Sequence, residues 1–284
     1  MKTLKTLFSK HLMALALAAV GVAALAGTAL AAPADATPTP TTKCTTVACV
    51  QKFGDAKIDE RLAALDKLAG EANSHKGLTD QQRQTILSDV KTNKDGLNAL
   101  KSKLDAETDM DAARTDVKNI YAQFRIFAVV IPRDRGEILL FHEQNVIAKL
   151  TAGNDKITDA IQKAKDKGDD VTQLLALQSD YNAKLADATK QANNAQGLIS
   201  SLTPANYPGT NDTLKTYRDD LKAAHDDIKD AAKDLHQIAQ ILKQDLGKGK
   251  WLASGGILSM TLPQMRSENE RIPPCWQNSD CSNG

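Results

Sequence analysis

The sequence predicts an all-α protein, an elongated antiparallel bundle or coiled coil of about five to six long helices. Three observations predict it. Apolar residues recur at alternating steps of three and four from just after Cys49 to Leu242, the period of one helical face. Capping and stop residues divide that run at regular intervals. No stretch alternates with period two for long enough to be a strand; the best candidate, Ala128 to Ile131, is short and has helical flanks.

The first element is a targeting segment, residues 1–31. Lys2, Lys5, Lys10 and His11 form a basic start, Leu12 to Ala26 is uncharged and apolar, and Ala29-Leu30-Ala31 supplies small residues at a cleavage position. Cleavage before Ala32 is expected, which makes the chain an exported protein of the periplasm, cell surface or extracellular space. The rival reading is an uncleaved anchor, since Leu12 to Ala32 carries no charge and is nominally long enough to span a bilayer. Its Ala and Gly content disfavours insertion. Residues 32–46, rich in Pro, Thr and Ala, read as an extended linker.

The helical domain is expected over residues 47–247. The first helix runs from about Val47 to Asn73 with a stripe of Ile58, Leu62, Leu65 and Ala69, and His75-Lys76-Gly77 marks its stop, with Gly77 as left-handed cap. The second opens on a capping box, Thr79 with Gln82. It carries Ile86, Val90, Leu97, Leu100 and Leu104, with Asn93 at a stripe position, where a polar residue commonly fixes register against a partner helix. The third starts near Asp109, carries Ala113, Val117, Ile120, Phe124 and Phe127, and meets a break or kink at Pro132.

The fourth helix carries Leu139, Val146, Leu150, Ile157 and Ile161 to about Lys165, before a turn at Gly168-Asp169-Asp170. The fifth carries Leu174, Tyr181, Leu185, Ala188, Ala192 and Leu198, and a Pro- and Asn-containing loop follows from Thr203 to Asp212. The sixth has the clearest pattern, Leu214, Tyr217, Leu221, Ala224, Ile228, Ala231, Leu235, Ile238 and Leu242, a strict 3.5-residue repeat that ends at Gly247. Residues 248–284 have no helical stripe and read as an irregular tail, closed by a disulfide, disordered, or translated from a shifted reading frame, since its composition fits nothing before it.

All four cysteines, Cys44, Cys49, Cys275 and Cys281, lie beyond the targeting segment. An even count in an exported chain suggests disulfides. Short loops close at low entropic cost, which favours Cys44 with Cys49 and Cys275 with Cys281. Their spacing does not match a zinc knuckle.

Charge is balanced, with 36 basic against 35 acidic residues, and aromatic residues make up 4%. Neither a basic face nor a stacking platform for nucleic acid is present in that composition. Asp outnumbers Glu by 28 to 7, yet no calcium loop forms: around Gly96 the first and last ligand positions hold Lys91 and Ser102, and around Gly168 the first holds Lys163. His225-Asp226-Asp227 is at best a weak metal motif, and solvated faces with pairs such as Asp230 and Lys233 explain the acids. No catalytic, nucleotide-binding, cofactor or metal signature stands in the sequence.

One stretch concentrates unusual residues. Tyr121 to Phe141 holds Phe124, Phe127 and Phe141, three of five Phe, and Arg125, Arg133 and Arg135, three of nine Arg. It reads first as the thickest part of the core, with its turn capped by charge. The functional reading is an apolar bundle tip whose guanidinium groups touch a membrane surface or grip a partner's carboxylate or phosphate. The function expected overall is an exported, non-enzymatic structural or interaction protein whose helical faces bind a protein partner or itself. The alternative is a membrane-acting or lipid-binding protein working through 121–141.

Overall fold

The computed structural model describes residues 44–245. The targeting segment, most of the linker, the tail with Cys275 and Cys281, and the expected stop at Gly247 lie outside the described residues. Of the described residues 88% are helical and none forms a strand. The order is α1 (Val47–Ser74), α2 (Asp80–Ala106), α3 (Met110–Ala122), a π-helical turn (Ile126–Val130), α4 (Ile131–Asp166), α5 (Thr172–Leu198), two 3-10 turns (Ile199–Ser201 and Pro204–Asn206) and α6 (Thr210–Asp245).

Local chemistry accounts for most of the boundaries. Thr79 and Gln82 form the expected capping box, with Gln82 N–H donating to Thr79 Oγ1 and Thr79 N–H to Gln82 Oε1. Asp109 caps α3 by accepting from the Asp111 and Ala112 amides. Gly168, at φ +88°, closes α4: its amide donates to the Lys165 carbonyl and that of Asp169 to the Ala164 carbonyl. That pairing satisfies the last carbonyls through a left-handed residue, which glycine adopts without steric cost. A disulfide joins Cys44 to Cys49 at a Cα–Cα distance of 5.4 Å.

Five boundary or face expectations are corrected. Gly77 is not a left-handed cap, because α1 ends in extended backbone at His75. Glycine is needed there because the ring of His142 leaves no room for a Cβ. The chain breaks at Arg125, not Pro132. Arg125 is left-handed at φ 44°, α3 stops before Phe124, and Pro132 sits in the first turn of α4, where its missing N–H leaves no bond unmade. Asn93 does not reach across to a partner; it donates to the carbonyl and carboxylate of Asp89 in its own helix. The stripe of α1 keeps Ile58 and Leu65 as expected but passes through Arg61, Leu68 and Ala72, with Leu62 and Ala69 only partly buried beside it. That of α4 likewise begins on Leu140 and Ile147, with Leu139 and Val146 half-buried beside them.

The topology differs from one up-and-down bundle. Along α1, the Cys44 carbonyl accepts from Arg114 of α3, Arg61 stacks on Tyr121, and Glu71 pairs with Arg135 of α4. So α3 and α4 run one after the other beside α1 in a single direction, and the break at Arg125 does not reverse the chain. Helix α2 returns antiparallel, tied to α1 by Lys94–Asp66 and Lys101–Asp59. Beyond, α5 descends and α6 ascends beside α4. The result is two three-helix bundles with separate cores. One core holds Ile58, Leu65, Ile86, Leu97, Leu104 and Ile120. The other holds Leu150, Ile157, Tyr181, Leu185, Tyr217 and Leu221. The first turns of α4 serve both, with Ile131 and Ile138 in the first core and Leu140 and Ile147 in the second.

Candidate functional site

The segment 121–141 is the joint between the bundles, and its polar side chains face inward. Arg133 is 12% exposed and Asp134 fully buried. Arg133 Nε donates to Asp134 Oδ1 at 2.7 Å, and its terminal nitrogens reach Asp89 of α2 and the Leu202 carbonyl at 3.3 Å, in the turn after α5. One guanidinium therefore ties α4 to both bundles. Arg135 makes a two-pronged pair with Glu71 of α1 at 2.9 and 2.8 Å, the planar geometry that suits a guanidinium. Arg125 lies 4.2 Å from the centroid of the Tyr207 ring. The three arginines singled out in the sequence are thus brought together, but each is engaged within the chain. Tyr121 is buried, and Phe124, Phe127 and Phe141 are partly buried.

Several residues of this joint carry no sequence motif. Arg61 is buried and stacks over both Tyr121 and Phe127, at 4.4 and 5.1 Å from their centroids. Asn145 donates to the Gly77 carbonyl and to Gln82 Oε1, each at 2.8 Å, so the cap of α2 also docks on α4. His75 and His142 meet edge to face with centroids 5.2 Å apart. Tyr217 of α6 packs against Gly136 and donates to the Arg133 carbonyl at 3.4 Å.

Acid groups dominate the electrostatics of the α4–α6 seam. Asp134, Glu137 and Glu143 are buried on α4. Burial pushes the Asp134 carboxyl up to about 8 against the pull of Arg133, and the neighbouring Asp89 adds to the rise. Burial likewise raises Glu143 to about 7, opposed by His225, and raises Glu137. Tyr217 is shifted upward by burial and by the nearby carboxylates. Glu143 is 1% exposed and faces His225 Nδ1 at 3.4 Å.

Outside the joint, a shallow groove between α1 and α2 is lined by Asp66, Ala69, Leu87, Val90, Lys91 and Lys94, and the Asp66–Lys94 ion pair lies at it. Among the described residues no group of three or more His, Cys, Asp or Glu has the geometry of a metal site, His225-Asp226-Asp227 included. No described helix is long and apolar enough to cross a membrane. No family model matches the sequence, and searches of curated proteins and of solved structures found no match.

Proposed function

We propose that this chain is an exported, non-enzymatic structural or interaction protein, acting as a stiff helical spacer that presents its outer faces to a protein partner or to a second copy. The observation that carries the reading is α4 itself. This helix of 36 residues, about 54 Å long at 1.5 Å per residue, belongs to both cores and is cross-linked to α1, α2 and the α5–α6 connection by Arg133 and Arg135. Side chains held this way in a buried network resist bending at the joint. The outer face of α6 carries exposed one-turn ion pairs, Lys215–Asp219, Lys222–Asp226 and Lys233–Asp230, which contribute little to stability. Export rests on the basic start, apolar run and small-residue cleavage motif of residues 1–31.

The test is cross-linking in the native host, with photoreactive residues at exposed positions of α2, α5 and α6, combined with fractionation. The expected result is a mature chain beginning near Ala32 outside the cytoplasm, with discrete cross-links to one protein or to itself. A chain that starts at Met1 in the cytosol refutes export. Co-sedimentation with liposomes, abolished by charge placed in 121–141, replaces this reading with the membrane-acting one.

A further inference from the structure

A charge count at the joint leads beyond the spacer reading and does not depend on it. The charged groups facing the α4–α6 seam can be named element by element. Helix α4 contributes Arg133, Asp134, Glu137 and Glu143; α2 contributes Asp89; α6 contributes His225, Asp226 and the Tyr217 hydroxyl. The turn after α5 adds the Leu202 carbonyl, which binds Arg133, and α1 brings Glu71, already paired with Arg135. Asp226 has its own cation in Lys222; the other four carboxyl groups, Asp89, Asp134, Glu137 and Glu143, share one guanidinium and one imidazole. Asp134 accepts from Arg133 through one oxygen and has no donor at the other. Both oxygens of Glu143 are buried, and the group that faces them is His225, whose Nδ1 stands 3.4 Å from Oε1. Bare carboxylates in such a place are strongly disfavoured, and a proton neutralises them at far lower cost.

We propose that the α4–α6 seam is a proton-held clasp, closed while Asp134 and Glu143 keep their protons and loosened when alkali removes them. Loss of the Glu143 proton leaves a buried anion facing the His225 imidazole, which is 20% exposed. Loss of the Asp134 proton places a second anion beside Asp89 on the same guanidinium. Both events drive Gly136–Glu143 away from Tyr217–His225, where water can reach the charges. The raised carboxyl values agree in direction. The sign follows from linkage. A group that binds its proton more tightly in the folded chain stabilises it fully below the ordinary carboxylate range. That stability is lost as pH rises toward about 7 for Glu143 and about 8 for Asp134.

The experiment is native-state amide exchange and denaturant unfolding of the full mature chain from pH 5 to 9, for the parent, Glu143→Gln, Asp134→Asn and the double variant. The unfolding constant of the parent should rise with pH, by up to about tenfold per pH unit for each proton bound only in the folded state. Exchange should accelerate first in residues 131–147 and 214–228, with 58–68 of α1 lagging. The amide variants, which cannot ionise, should flatten the profile. Selective carbon-13 labelling of the seven glutamates reads Glu143 directly in the parent, so the outcome does not depend on a variant folding. A Glu143 midpoint near that of an exposed glutamate overturns the proposal. So does a parent profile that is flat or improves toward pH 9, or a slope that survives in a folded double variant.

Discussion

Gly136 and Gly153 lie on the same helix, and their surroundings give them opposite roles. At Gly136 a Cβ would overlap the ring of Tyr217, whereas at Gly153 nothing stands within 4 Å. Gly136→Ala should therefore force α4 and α6 apart and destabilise the chain by about 1–3 kcal/mol. Gly153→Ala should stabilise it by about 0.5–1 kcal/mol, because alanine loses less backbone freedom in a helix interior. Denaturant midpoints of the two variants decide the point; equal effects would mean that Tyr217 does not lie on Gly136. The same scale shows why the joint was only partly legible. Arg125, Arg133 and Arg135 drew attention because they cluster with phenylalanines in the sequence. Arg61, Asp89 and His225 come from distant segments, and Glu143 lies just beyond Phe141 on the same helix. For Arg61 and Glu143 the one local signal is a charged residue inside an apolar stripe, as Arg61 stands between Ile58 and Leu65 and Glu143 between Leu140 and Ile147. Such a gap says that a polar group is buried and leaves its partner unnamed.

At the scale of the helix, α6 carries the most regular pattern, and the structure buries it. Leu214, Tyr217, Leu221, Ala224, Ile228, Ala231 and Ile238 are buried, while Leu235 and Leu242 pack partly exposed against the same core. Ile228→Asp places a charge in that core and should cost several kcal/mol, a large share of a domain's typical stability. Lys229→Asp, one position round on the exposed side, should stay within about 0.5 kcal/mol. Thermal melts compare them, and parent-like melting of both would mean that the stripe is not buried in solution. Periodicity worked here because one core lies on one side of α6. It misplaced the face of α4 because the first turns of that helix serve two cores. Their apolar positions therefore spread round the helix and blur a single stripe.

At the scale of the molecule, the two bundles have separate cores and share α4, so their cooperation depends on the joint. The parent should unfold in one transition, because neither bundle can lose α4 alone. Arg133→Met removes the counter-charge of Asp89, the donor to Asp134 and the bond to Leu202. It should cost about 3–5 kcal/mol and separate the transitions of the two bundles. Amide exchange resolved by helix reads both effects, with α1–α2 reporting the first bundle and α5–α6 the second. Persistence of a single transition with unchanged midpoint would show that apolar packing alone couples them.

The sequence by itself determined the all-α class with about five to six long helices, the capping box at Thr79, the turn after α4 at Gly168 and the stripe of α6, and it favoured the pairing of Cys44 with Cys49. These depend on backbone hydrogen bonds and side-chain period within a few residues of chain, which local composition specifies. Tertiary structure alone decided that α3 and α4 follow one another past Arg125, that the helices divide into two bundles, and that buried charges meet at their joint. Those outcomes depend on which faces meet across 44 to 84 residues of intervening chain, as Arg133 meets Asp89 and Tyr217. There, burial of charge is tolerable only because a partner from another helix, or a proton, is in place.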